Sequence, residues 1–218
     1  MAERDDIMKR APALLTPVVM AYERRLRRYG ETAQGVFWKD DEWQRRRYEI
    51  LARIFGDDAE RGGVTIHDFG CGYGALFDFL ADHPVMQGSR YVGIDMSEAM
   101  LNAARGRITD PRASFQRQLW ATEPADYTIV SGTFNMLMEA DTREWRDYVE
   151  VSLLRLWKTT RRGLAFNMLN ALSEGKLAGL YYVPPENMLA FVQREMDPEA
   201  ELSIDTPLPD FTIFARRR

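Results

Sequence analysis

Val64-Thr-Ile-His-Asp-Phe-Gly-Cys-Gly-Tyr-Gly-Ala-Leu76 decides the fold. Its first six residues form the short apolar run that a buried strand needs. Glycines at 70, 72 and 74 follow at once, and then a helical pattern with Leu76, Phe77, Phe79 and Leu80 available for packing. Glycine adopts positive φ freely and lets a ligand approach bare backbone. A loop leaving the carboxyl end of a central strand lies where open α/β sheets bind ligands. Asp68 stands just ahead of this loop.

Downstream, apolar runs and helices alternate. Strands are expected at Tyr91–Ile94, Ala113–Gln116, Tyr127–Ser131 and Gly163–Leu169, with helices at Ala75–Asp82, Glu98–Arg107 and Thr142–Leu156 between them. Ser97 reads as the N-cap of the second of these helices. Pro184 and Pro185 open a helix reaching about Arg194, a position where proline is tolerated. This alternation implies a mostly parallel sheet with helices on both faces. Two last strands, Glu201–Asp205 and Phe211–Ala215, are joined by only Thr206-Pro-Leu-Pro-Asp210. That link is too short for a parallel crossover, so the pair is expected antiparallel.

Upstream, residues 1–60 differ in texture, with helical spacing and many charges of both signs. Pro12 and Pro17 punctuate the start. Val18, Val19, Tyr22, Leu26 and Tyr29 recur at helical spacing up to Gly30, and a second helix runs from about Asp41 to Phe55, where Gly56 stops it. The chain therefore divides into an N-terminal helical segment, 1–60, and an α/β domain, 61–218.

Asp95 ends the second strand, about 20 residues after the glycine loop, where an acid is placed to accept ribose hydroxyls. The glycines here are spaced G-x-G-x-G, whereas the dinucleotide fingerprint is G-x-G-x-x-G. A pyrophosphate needs a free helix N-terminus. An acid at the loop's edge suits instead a nucleoside with an ammonium group and no phosphate. These features disfavour a nicotinamide-dependent oxidoreductase.

Asp68-Phe-Gly-Cys-Gly-Tyr-Gly74 and Tyr91-Val-Gly-Ile-Asp-Met-Ser97 resemble the first two motifs of the class I S-adenosylmethionine-dependent methyltransferases. Asp126-Tyr-Thr-Ile-Val-Ser131 and Gly163-Leu-Ala-Phe-Asn167 are similar to their fourth and fifth strands, and Ser131-Gly-Thr-Phe-Asn135 resembles a bacterial subgroup. The resemblance covers about residues 63–216. It implies a doubly wound, seven-stranded, mostly parallel sheet of order 3-2-1-4-5-7-6 with strand 7 antiparallel. It implies S-adenosylmethionine as cofactor and S-adenosylhomocysteine as product. In that reading Gly70, Cys71, Gly72 and Gly74 pass under the methionine moiety and Asp68 serves its amino end. Asp95 holds the ribose hydroxyls, Met96 and Leu119 flank the adenine, Gln118 accepts from the adenine amino group, and Ser131 and Thr133 border the methyl.

Methyl transfer from a sulfonium needs alignment more than an elaborate catalyst, and a base only where the acceptor arrives protonated. The loop after the fourth strand should open onto the site, making Phe134 and Asn135 candidates for acceptor contact and Glu139 a candidate base, with ordinary loop packing the alternative for each. Tyr22, Tyr29 and Trp38 are candidates from an N-terminal lid that excludes water, and Tyr181 and Tyr182 from the segment after the fifth strand. Each is equally readable as packing. His67 reads as a core histidine and Cys71 also as a small loop filler. Arg24, Arg25, Arg27 and Arg28 read as a solvated helix face offset by nearby acids, or, more sharply, as a site for an anionic acceptor.

The remaining bounds come from composition. A net charge of -4 speaks against nucleic acid as the main partner. One cysteine allows no internal disulfide and suits a reducing compartment. No leader-like segment, membrane span or metal-ligand spacing is visible, and the cytoplasm is the expected location. The leading expectation is methyl transfer to an oxygen or nitrogen of a small-molecule acceptor. An RNA- or protein-directed methyltransferase and a non-catalytic S-adenosylmethionine-binding module are the alternatives. The oligomeric state stays open.

Overall fold

A computed structural model describes residues 2–218, with side chains from Asp6 onward. In chain order the elements are α1 (Ala2–Tyr29), α2 (Asp41–Leu51), α3 (Asp58–Arg61), β1 (Thr65–Phe69), α4 (Ala75–Leu80), β2 (Arg90–Asp95), α5 (Glu98–Arg107), β3 (Ala113–Arg117), β4 (Ala125–Val130), α6 (Thr142–Thr159), β5 (Thr160–Asn170), β6 (Tyr182–Val183), α7 (Pro185–Glu195), β7 (Glu201–Ser203) and β8 (Asp210–Arg216).

The sheet runs β3-β2-β1-β4-β5-β8-β7. Pairing is parallel from β3 through β5, and β8 lies antiparallel to both β5 and β7. This is the expected order with one strand more. The addition is β6, which pairs in parallel with Leu169 and Asn170 at the end of β5. The pairing of β5 with β4 ends at Phe166, while β8 holds β5's other edge as far as Leu169. The last residues of β5 thus present an open edge on the β4 side, and two residues suffice to close it.

Successive strand residues point to opposite faces, and each face has its own core. Phe69, Val130, Leu164, Phe166 and Ile213 face one side, where α1, α6 and α7 pack. Ile66, Ile129, Ala165 and Phe214 face the other, against Tyr48, Ile50 and Leu51 of α2 and Leu76, Phe77 and Leu80 of α4. Burying side chains of this size contributes about 1.5–3 kcal/mol each. Caps fix where helices begin: Asp40 accepts from Trp43 N, Ser97 from Met100 N, and Asp141 from Arg143 N and Glu144 N.

One expectation is corrected. Pro12 and Pro17 do not delimit a helix start; α1 runs through both. Each proline removes one backbone hydrogen bond. Burial of Ile7, Met8, Ala11, Leu15, Val18 and Ala21 along a single face offsets that loss. No helix among the described residues is long and apolar enough to cross a membrane.

Candidate active site

The site forms where β1, β2 and β4 end together. Parallel pairing places Phe69 beside Ile94, so the glycine loop after β1 and the turn after β2 emerge at one level. Gly70 N and Cys71 N both donate to Ile94 O, and Gly72 N donates to Asp95 Oδ2 at 2.9 Å. Asp95 Oδ1 accepts from Ser97 N at 2.8 Å. Burial raises the Asp95 carboxyl above its ordinary value, and backbone N–H donors pull it partly back. Gly70 and Gly72 take φ of 80° and 54°. A Cβ on Gly70 would stand 2.3 Å from Thr133 Oγ1.

These loops enclose a cavity of about 120 Å³. Asp68, Gly70, Cys71, Gly72, Asp95 and Met96 line it, and so do Gln118, Leu119, Ser131 and Thr133. The structure thus brings together ten of the eleven residues expected around the cofactor. Gly74 is set apart: its φ of 86° opens α4, and a Cβ there would meet Ile108 and Phe115. Its role is to let helix and strand pack closely.

Asp68 is 2% exposed. Tyr91 Oη donates to Asp68 Oδ2 at 2.5 Å. Burial pushes the carboxyl up to about 7, opposed by the Tyr91 hydrogen bond. Ser131 Oγ is buried without a hydrogen-bond partner. A buried polar atom facing a cavity without a partner is costly, and a ligand would relieve it. Bare glycine backbone, two carboxylates, an unpartnered hydroxyl and an apolar wall of Met96, Met100 and Leu119 fit S-adenosylmethionine.

The N-terminal segment closes this cavity. Leu15, Val18, Val19 and Tyr22 of α1 line it, joined by Val36 and Trp38. Ser97 Oγ donates to Glu23 at 3.0 Å, which ties α1 to the start of α5. Trp38 lies over Gly132, where a Cβ would stand 2.5 Å from the indole. The Arg47 guanidinium stacks 4.2 Å from the Trp38 ring and pairs with Asp210 through two hydrogen bonds of 2.7 and 2.8 Å. Asn167 Nδ2 donates to Asp210 and its Oδ1 accepts from Gly132 N at 2.7 Å. The loop after β4 and the tryptophan above it are therefore held by one buried network.

A second cavity, about 850 Å³, adjoins the first and shares Tyr22, Val36 and Trp38 with it. Tyr29, Asn135 and Glu139 line it, as do Arg24, Arg25 and Arg28. Asn135 is held by its own backbone contacts, its Oδ1 accepting from Leu169 N. Three expected acceptor contacts line neither cavity. Phe134 is fully buried against Phe69 and Tyr148. Tyr181 is 4% exposed and sits in the core. Tyr182 is half-buried, and its hydroxyl accepts from Leu177 N. These rings pack the loops in place.

His67 is buried in β1 with Nδ1 unpartnered, and burial lowers its pKa to about 4. It is a neutral core residue. Burial also raises the Cys71 thiol well above its ordinary value, which leaves it a poor nucleophile. Among the described residues no group of three or more His, Cys, Asp or Glu is arranged to hold a metal. Sequence reasoning missed Gln44, Tyr48 and Tyr148 as cavity walls. They lie on helices as ordinary amphipathic positions, and nothing local distinguishes them.

A methyltransferase-domain family model matches residues 67–155, from the glycine-loop strand to α6. Rv1506c of Mycobacterium tuberculosis, by name a methyltransferase, is 34% identical over 156 residues, covering 70% of this chain and 93% of that protein. The trans-aconitate 2-methyltransferase of Paracidovorax citrulli is 37% identical over 90 residues, 40% of this chain and 32% of that enzyme. Among solved structures, the magnesium protoporphyrin IX methyltransferase of Synechocystis PCC 6803 with bound S-adenosylhomocysteine superposes with a TM-score of 0.61 at 15% identity. It covers 81% of this chain and 84% of that one, a likeness of fold.

Proposed function

This chain belongs to the class I S-adenosylmethionine-dependent methyltransferases, and on that premise we propose that it methylates an oxygen or nitrogen of a small-molecule acceptor, chiefly by proximity and in-line orientation. One observation carries the reading: the cavity fitted to the cofactor and the second cavity meet at Tyr22, Val36 and Trp38. A module that only bound cofactor would have no use for a second cavity at that seam.

Bound S-adenosylmethionine supplies an electrophilic methyl on a positively charged sulfur. The chain's residues position it. Asp95 accepts the ribose hydroxyls, Asp68 faces the amino end, and Gly70 and Gly72 offer unobstructed backbone. Met96 and Leu119 flank the adenine, and Gln118 accepts from its amino group. Tyr22, Val36 and Trp38 exclude water from the seam, which strengthens every electrostatic contact inside it. The acceptor enters from the second cavity, where Asn135 orients it. Where the acceptor arrives as O–H or N–H, Glu139 takes the proton. Holding the partners in a near-attack arrangement supplies roughly 7–11 kcal/mol of the barrier reduction.

The test is a co-crystal with S-adenosylhomocysteine, preceded by calorimetric titration. The expected result is adenosine against Asp95 and the thioether at the seam of Tyr22 and Trp38. Absence of binding, or a pyrophosphate nucleotide bound in preference, overturns the proposal.

A further inference from the structure

The second cavity carries an electrostatic feature that methyl transfer as such does not require. Arg24, Arg25 and Arg28 of α1 all line it, and none is ion-paired among the described residues. The two acids nearest in sequence are committed elsewhere: Glu23 to Ser97 Oγ, and Glu31 to Arg107. The offset by neighbouring acids that the sequence suggests for this cluster is therefore absent. Arg24 and Arg28, four residues apart, repel one another on the helix face.

Arg25 is pre-positioned. Its Nε donates to Gln34 O at 2.7 Å, and its guanidinium lies 4.3 Å from the Tyr29 ring centre and 4.6 Å from that of Phe37. Its terminal nitrogens remain free to donate. A planar guanidinium held this way is suited to bidentate recognition of a carboxylate or phosphate. Much of the remaining lining is apolar, including Met136, Met138, Leu169, Leu177 and Leu180. Leu177, 66% exposed, extends this apolar lining to the cavity mouth.

Resting on the methyltransferase reading, we propose that the acceptor is a small amphiphilic anion. Its carboxylate or phosphate is held by Arg24, Arg25 and Arg28, and its apolar body lies against the methionine and leucine wall. The anion is a handle and not the methylated group. Phe37 touches Arg25 and meets Tyr22, itself a seam residue, edge-on at 5.2 Å, so one aromatic ring stands between the guanidinium and the seam. The acceptor's nucleophilic oxygen or nitrogen stands at that seam, beyond Phe37 from its charge. A nucleic-acid backbone is the less fitting anion, because the basic residues of this cavity all come from α1, the rest of the lining is largely apolar and Glu139 shares it.

The experiment is calorimetric titration of decanoate, decyl phosphate, decanol and decyltrimethylammonium into the protein, with and without saturating S-adenosylhomocysteine. Binding of S-adenosylhomocysteine alone is measured first, and its failure sinks the functional reading. The anion comparison is also made on the free protein, so it stands or falls separately. At least one anion is expected to bind about tenfold or more tighter than decanol and the cation, with salt weakening it. The tighter of the two anions assigns the carboxylate or the phosphate class. The Arg24→Gln/Arg28→Gln variant, at two exposed positions, should lose that preference. Arg27→Gln, which lies outside the cavity, should keep it. Equal binding of anion and decanol, an unaffected double variant, or tighter binding of an oligouridylate than of either anion overturns the proposal.

Discussion

Asp95 Oδ2 accepts the backbone N–H of Gly72 at 2.9 Å, so the acid at the end of β2 and the glycine loop after β1 form one unit. The same carboxylate also accepts from Ser97 N at the head of α5. Each carboxylate oxygen keeps a further lone pair for a ribose hydroxyl. Asp95→Ala should weaken S-adenosylhomocysteine binding by about 1.5–3 kcal/mol, the usual worth of a hydrogen bond to a charged group. It should also lower thermal stability, because two backbone donors lose their acceptor. Asp95→Asn, which retains one carbonyl oxygen, should fall between. Calorimetry on the folded variants decides the matter, and an unchanged dissociation constant would end the ribose assignment.

Gly70 and Gly72 differ in what a side chain would meet. A Cβ on Gly70 collides with Thr133, whose hydroxyl is already engaged with Phe69 O at 2.8 Å. At Gly72 it makes only ordinary van der Waals contacts, with Val36 at 3.6 Å and Met100 Sδ at 4.0 Å. Within the protein, Gly72→Ala therefore carries only the left-handed backbone cost, about 1–2 kcal/mol. Gly70→Ala adds displacement of Thr133 from the cavity wall. The expected order of S-adenosylhomocysteine affinity is wild type, then Gly72→Ala, then Gly70→Ala. The reverse order of the two variants would mean that a methyl at Gly72 intrudes on the ligand more than displacement of Thr133 disturbs it.

The parts of this site that sequence exposes are those written in one short span. Glycine spacing, Asp68 and Asp95 lie within 28 residues, and parallel pairing then fixes their positions in space. Ser97 as a cap was legible for the same reason: its hydroxyl answers a backbone donor three residues on. Long-range choices were not legible. Phe134 and Tyr29 look alike as loop and helix aromatics, yet one is entombed and the other lines a cavity. Arg47 and Asp210 meet across 163 positions, with no pattern in either neighbourhood. β6 is two residues long, too short for any periodicity.

Asp68 makes cofactor binding pH-dependent. Its carboxyl titrates near 7 in the fold, against about 3.9 when unfolded. The folded state thus binds the extra proton between those values. The stability this gives is complete below about pH 4 and is lost as pH rises through 7. An ammonium group prefers the ionised carboxylate, so S-adenosylhomocysteine binding should follow the opposite course. Affinity should climb about tenfold per unit up to pH 7 and then level. Asp68→Asn should flatten the profile. His67, with a pKa of about 4 in the fold and about 6.5 unfolded, acts in the other direction on stability: its contribution is lost as pH falls from 6.5 toward 4. It should leave the binding profile untouched. A wild-type profile without slope between pH 5.5 and 7, taken as roughly the working window, would remove Asp68 from the amino end.

The Arg47–Asp210 pair is 3% exposed on each side, and both its hydrogen bonds run between the two forks. A pair this dry gains little net stability from its own attraction, because removing both charges from water offsets most of it. Breaking it is a different matter, since the survivor is left charged in a low-dielectric interior. Arg47→Met should cost about 3–5 kcal/mol in urea unfolding. Asp210 would keep only Asn167 as donor, and that amide also orients the Oδ1 that receives Gly132 N. Trp38 would lose the guanidinium it stacks on, so the wall shared by the two cavities should loosen and S-adenosylhomocysteine affinity should fall along with stability. Arg47→Met combined with Asp210→Asn removes the stranded charge and should recover much of the unfolding energy. It cannot restore the stacking on Trp38, so affinity should stay low. Recovery of both together would show that the network serves stability alone and has no part in holding the tryptophan over Gly132.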